Sequence, residues 1–187
     1  PIGIIKVAAG GTSLALDWDP QAPAPGRALY PRMLQHVTNA LASLGSEGTD
    51  YQVAGVLWVH GESDTSAAVA PAYHDNLTGF IQQVRTDLNS PQLPFYIGRL
   101  NRGANLPNVK VIRQAQADVA REDPYTIAVD LDALPLRYDS VHYTPDGLLG
   151  LGEVLANAVI YGPPAEDFDV DGLVTDDDLS AGLFYQG

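Results

Sequence analysis

VAGVLWVHGESD, from Val53 to Asp64, decides the fold. It runs apolar without alternation through Val59, the pattern of a strand covered on both faces, and then breaks at a glycine into a cluster of polar groups. Such a strand needs helices above and below it. The flanking sequence supplies them. Upstream, Tyr30, Leu34, Val37, Leu41 and Leu44 recur at helical spacing, with Pro31 suited to a first turn and Gly45 to a C-terminal stop. Downstream, Tyr73, Leu77, Phe80, Ile81, Val84 and Leu88 form the next helical stripe.

The alternation extends in both directions. Ile2 to Ala8 (IGIIKVA) reads as a buried strand closed by Gly10-Gly11, and a Pro-rich loop follows from Asp19 to Gly26. Further on, Phe95 to Leu100 and Tyr125 to Leu131 read as strands, and Val109 to Ala120 and Leu148 to Ile160 as helices. Strand followed by helix, repeated, describes an α/β domain over 1–162 with a parallel sheet. A short acidic tail, 163–187, completes the chain. Loops at the carboxyl ends of parallel strands carry the chemistry in such sheets, which directs attention to Gly10–Asp19, His60–Ser66, Asn101–Asn105 and Asp132–Asp146.

Composition excludes several classes. Of 187 residues, 10 are basic and 23 acidic, giving a net charge of -13 that repels phosphate backbones and anionic membranes. Neither nucleic acid nor membrane is expected as a partner, and no apolar run has the length of a bilayer span. The absence of cysteine excludes disulfides, thiolate metal sites and a Cys nucleophile. The chain opens without Met directly on a strand-like run, as a mature or trimmed product would.

Three constellations could carry chemistry. Asp139 and His142 stand three apart in the loop before the last helix, a spacing that lets a carboxylate fix the tautomer of an imidazole; an Asx turn beside a solvated ring has the same spacing. Trp58-Val-His-Gly-Glu-Ser-Asp64 carries a strand into His60, Gly61 and Glu62, and reads equally as a site or as a helix-capping loop, since Ser63 and Asp64 are good N-caps. Gly10 and Gly11 would free backbone N–H groups to face a ligand, and the adjacent Ser13 could itself be the nucleophile of a triad with His142 and Asp139, or merely cap a strand end. His36 and His74 fall off the apolar stripes and read as surface residues.

The tail has its own pattern. Asp167, Asp169 and Asp171 fit positions 1, 3 and 5 of a calcium loop, Gly172 position 6 and Asp178 position 12. A solvated acidic tail is the other reading.

KVAAGGTSL, the following Trp18, LYPRM, VLWVHGESD, VIRQAQ and DSVHYTPDG, taken together and in order from Ile5 to about Tyr161, resemble the blocks of the SGNH/GDSL hydrolase superfamily, in particular its carbohydrate acetylesterase and sialate O-acetylesterase-like branch. The resemblance implies a flavodoxin-like three-layer α/β/α sandwich. It implies a Ser-His-Asp esterase without a catalytic cofactor, in which Asp139 and His142 supply acid and base, and an acetylated carbohydrate as substrate. The oxyanion would be held or supported by Gly10 and Gly11 and by the loop of His60, Gly61 and Glu62, where relatives usually carry Gln in place of His60.

The family's nucleophile block should lie well before KVAAGGTSL, on a first strand that sits between the strands matched by IGIIKVA and VAGVLWV. No residue here matches it, so the chain is expected to lack that strand, to be the larger part of a longer protein, and to need an upstream segment of the same protein to fold well or act. Ser13 is the alternative nucleophile, and a non-catalytic carbohydrate-binding or scaffold protein is the alternative function. The tail resembles one half of a dockerin-type repeat, which implies a secreted protein, bound Ca2+ and, for a complete repeat pair, a cohesin-like partner.

Overall fold

Three parallel strands, β1 (Val56–Val59), β2 (Phe95–Gly98) and β3 (Thr126–Val129), stand in that order in the computed structural model, which describes residues 1–21 and 28–162. Val56 pairs with Phe95 and Phe95 with Thr126, so the strands run level and their carboxyl ends lie along one rim. The connecting helices are α2 (Tyr73–Asp87) and α3 (Val109–Glu122); α1 (Leu29–Ser46) precedes the sheet and α4 (Pro145–Tyr161) follows it.

Side chains alternate across a strand, and here the two faces enter two cores. Phe95 and Ile97 pack with Trp58, Phe80, Ile81, Ile112 and Val119 under α2 and α3. Tyr96, Val129 and Leu131 pack with Leu155 and Ala158 of α4 on the other face. Helices, sheet and helix thus make the three layers. Aromatic rings run through the larger core: Trp58 and Phe80 pack tilted at 4.4 Å between centroids, Phe80 and Phe95 edge-on at 6.2 Å, and Trp18 meets Trp58 edge-on at 5.4 Å.

The expected strand over Ile2–Ala8 does not form. Ile2 is 93% and Ile4 84% exposed, and no strand pairs with the outer edge of β1 among the described residues. An apolar run becomes a strand only when a neighbour accepts its backbone hydrogen bonds, and this one has none. Nor is β1 covered on both faces: Leu57 and Val59 remain exposed, and α4 packs over β2 and β3. Likewise α1 buries only Leu29 and Tyr30, the Tyr30 hydroxyl donating to Asp87 at 2.7 Å. Its stop falls at Gly48, in the left-handed region at φ 68°, rather than at Gly45, and Thr49 N–H closes the end on Leu44 O.

The final helix starts earlier than its apolar stripe. Thr144 accepts from Gly147 N–H at 3.1 Å and Pro145 takes the first turn, so the cap places α4 directly after the Asp139–His142 loop.

His74, on α2, reaches both Asp75 and Glu122 of α3 at 3.0 Å. The hydrogen bond to Asp75, followed by that to Glu122, outweighs partial burial and raises its pKa above the ordinary value. A folded-state pKa above the unfolded one means that the stabilisation is full below about pH 6.5 and is lost as pH rises through the folded value. The difference in Tm between the chain and its His74→Gln variant should therefore be largest near pH 6 and vanish in alkaline buffer. A pH-independent difference would remove the ion pair from the stability of this helix contact.

Candidate active site

The carboxyl rim of the sheet opens into three loops, after Val59, Gly98 and Val129. In the last of these the chain doubles back, with Leu136 bridging Tyr143 antiparallel, Arg137 N–H donating to His142 O at 2.7 Å and Ser140 N–H to Arg137 O at 2.9 Å. Ser140 takes φ 53°, a left-handed conformation that closes the turn. Asn105 N–H, from the neighbouring loop, donates to Ser140 O at 2.9 Å and fixes the turn from outside.

That turn brings Asp139 and His142 together. Asp139 Oδ1 accepts from the backbone N–H of Val141 and of His142, both at 2.9 Å, which is the Asx geometry, while Oδ2 lies 3.0 Å from His142 Nδ1. Those backbone hydrogen bonds, from His142 and then Val141, with the imidazole contact after them, hold the Asp139 carboxyl at a pKa of about 2. A carboxylate facing Nδ1 selects the tautomer with its proton on Nδ1, which leaves Nε2 as the bare nitrogen. The His142 side chain is 74% exposed, so that nitrogen is open to a nucleophile.

The loop after β1 is anchored to the Gly10–Trp18 segment. Asp64, fully buried, is not a helix cap: its carboxylate accepts from Leu14 N–H at 2.8 Å and Ala15 N–H at 3.1 Å. His60 Nε2 donates to Thr12 O at 2.9 Å, and burial lowers the ring's pKa against the opposing charges of Asp64 and Glu62. The geometry makes His60 a tie between loops, with its Nδ1 3.7 Å from the Asp64 carboxylate. Gln116 Nε2 donates to His60 O at 3.0 Å and Gln116 Oε1 accepts from Leu100 N–H at 2.8 Å, joining the ends of β1 and β2.

Gly61 sits under this bracket at φ 138°, where an added Cβ would stand 2.8 Å from Ile112 Cγ2. Gly61→Ala should cost about 1–3 kcal/mol of stability through strain and overpacking, readable in a urea titration. An unchanged midpoint would show that the loop relaxes freely.

A further network joins the loops after β2 and β3. Arg113, in α3, meets the Asp132 carboxylate with two nitrogens at 2.8 and 2.9 Å, and Arg102 joins the same carboxylate. Arg99, buried at the end of β2, lies 3.7 Å from Asp130. The signal was present in FYIGRL, a charged residue inside an apolar run, and in Gln116, which shares the buried stripe of Ile112 and Val119. These groups fix the loops after β2 and β3 relative to each other. Tyr143, beside His142, has its hydroxyl pKa pushed up to about 12 by burial and then by the charge of Glu62.

The Ser13 hydroxyl is buried and has no hydrogen-bond partner, while its N–H donates to Asp17. Gly10 and Gly11 form an exposed turn before Thr12, with Gly11 at φ 65°. Asp167, Asp169, Asp171 and Asp178, and the Pro-rich loop beyond Gln21, lie outside the described residues.

Comparison with known proteins identifies the family. The profile of the family described as carbohydrate esterase, sialic acid-specific acetylesterase, matches residues 1–161. A probable carbohydrate esterase of Arabidopsis thaliana is 31% identical over 160 residues, which is 85% of this chain and 55% of that protein. The crystal structure of a protein from Arabidopsis thaliana is similar at a TM-score of 0.67 and 28% identity, over 81% of this chain and 57% of that one. A carbohydrate acetylesterase from Xanthomonas citri shares the fold at a TM-score of 0.59 and 21% identity, over 85% of this chain and 37% of that one. The chain thus spans about half the length of the curated relative it matches.

Proposed function

The chain belongs to the sialic acid-specific acetylesterase family of carbohydrate esterases, and on that premise we propose that it supplies the acid and base of a serine esterase that removes O-acetyl groups from a carbohydrate. The observation that carries the proposal is the Asp139–His142 pair, a 3.0 Å contact held by a rigid turn with the far side of the imidazole open. A serine upstream of Pro1 is the nucleophile.

In the first half-reaction His142 Nε2 takes the serine hydroxyl proton as the oxygen attacks the acetyl carbonyl. The imidazolium then returns that proton to the leaving sugar oxygen as the ester bond breaks, leaving an acetyl-enzyme. Water repeats the sequence: His142 takes its proton, the acetyl group leaves as acetic acid and the serine is restored. Asp139 stays a carboxylate throughout, orienting the ring and stabilising its cationic form. The steps use no cofactor.

Two observations support an upstream nucleophile. The Ser13 hydroxyl is buried, and the outer edge of β1, with Leu57 and Val59 exposed beside it, fits an additional strand that would bring a serine to the same rim. Acetate release from acetylated xylan and from O-acetyl sialic acid by the full-length protein, with His142→Ala as control, tests the reading. Release that persists in the control, or a folded protein that releases none, sinks it; the latter leaves a carbohydrate-binding role. In the same proposal Asp167, Asp169, Asp171 and Asp178 bind calcium in a secreted enzyme. Titration should show affinity in the millimolar range or tighter, and none would argue against an ion site.

A further inference from the structure

Tyr138 precedes Asp139 and is 93% exposed, the most exposed aromatic side chain among the described residues. On an ordinary surface a single exposed ring would need no explanation. Its backbone, however, belongs to the turn that holds the catalytic pair: Arg137 N–H on His142 O, Ser140 N–H on Arg137 O, and Asn105 N–H on Ser140 O. The Arg137 guanidinium stands 6.0 Å from the Tyr138 ring centroid and steadies it. The ring is therefore presented to solvent from the hydrogen-bonded turn that also carries His142, and little backbone ordering remains to be done on binding.

We propose that Tyr138 is the platform on which the sugar ring of the substrate rests while its acetyl ester meets His142, an inference that rests on the esterase reading above. The face of an aromatic ring is electron-rich, and the C–H face of a pyranose is apolar with its hydrogens slightly positive, so the two stack face to face. An open, flat surface of this kind suits a ring lying across the mouth of the site. It does not suit a long acyl chain, which needs an enclosed pocket to be desolvated. The acetyl group needs no such pocket, and recognition is left to the alcohol side of the ester.

The test uses full-length Tyr138→Ala and Tyr138→Phe with two esters, an acetylated xylo-oligosaccharide and ethyl acetate. Tyr138→Ala should raise KM for the oligosaccharide about tenfold while leaving kcat and the hydrolysis of ethyl acetate within about twofold. Tyr138→Phe should behave as the parent, since the ring face rather than the hydroxyl makes the contact. An unchanged KM, or an equal loss on both esters, overturns the proposal; the latter would mean that Tyr138 supports the turn or packs against another part of the protein. If the parent hydrolyses neither ester, the esterase reading fails, and calorimetric titration with the deacetylated oligosaccharide decides alone. Binding weakened about tenfold by Tyr138→Ala supports the platform, and equal or absent binding overturns it.

Discussion

His142→Ala in the full-length protein should lower kcat for an acetylated sugar about 10^4- to 10^6-fold, because in the proposed mechanism it removes both the base that activates serine and the acid that releases the sugar. Asp139→Asn should cost about 10^4-fold, chiefly by releasing the ring into the wrong tautomer. Neither loss should come from unfolding. The His142 side chain is 74% exposed, so its removal should move stability by less than about 0.5 kcal/mol in a urea titration. Asp139, with a pKa of about 2, should remain a carboxylate across the whole pH range in which an esterase works. Loss of rate in His142→Ala by less than about tenfold would place the base elsewhere.

The largest effect on stability should come from Arg85. It is 9% exposed, donates through Nε to Leu93 O at 3.0 Å, pairs with Asp123 at the C-terminal end of α3, and lies over the Phe95 and Tyr125 rings at 5.7 and 5.9 Å. Burial by itself would raise the Asp123 pKa, but the hydrogen bonds from Arg85 and Thr126 outweigh it and hold the carboxyl below its usual value. Arg85→Met keeps much of the volume but strands Asp123 and the carbonyls, and should cost about 3–5 kcal/mol. Adding Asp123→Asn should recover part of that loss. If Arg85→Met costs under about 1 kcal/mol, the pair is solvated and contributes as a surface pair does.

The layers of the fold were legible because FYIGRL and the stripes of α2 and α3 declare which of their faces are buried, whereas VAGVLWV reads as covered on both faces and β1 leaves Leu57 and Val59 exposed. IGIIKVA was read as a strand for the same reason and is not one, since pairing depends on a neighbour that periodicity cannot show. Within the site, Asp139 and His142 were legible because their contact is local, three residues apart in one turn. Asp64 was not. Its partners, Leu14 and Ala15, lie some fifty positions away, so at the sequence level its carboxylate could only be taken for a cap. Gln116 stands out as a polar residue on a buried stripe, but its partners Leu100 and His60, like Asp132 for Arg113, are too distant in sequence to be read.

Labelling of the full-length protein with a serine-directed organophosphate, followed by peptide mapping, tests the central claim most directly. The expected result is a single adduct on a serine upstream of Pro1, formed in the parent and abolished by His142→Ala. An adduct on Ser13, or one that forms equally well without His142, would contradict it.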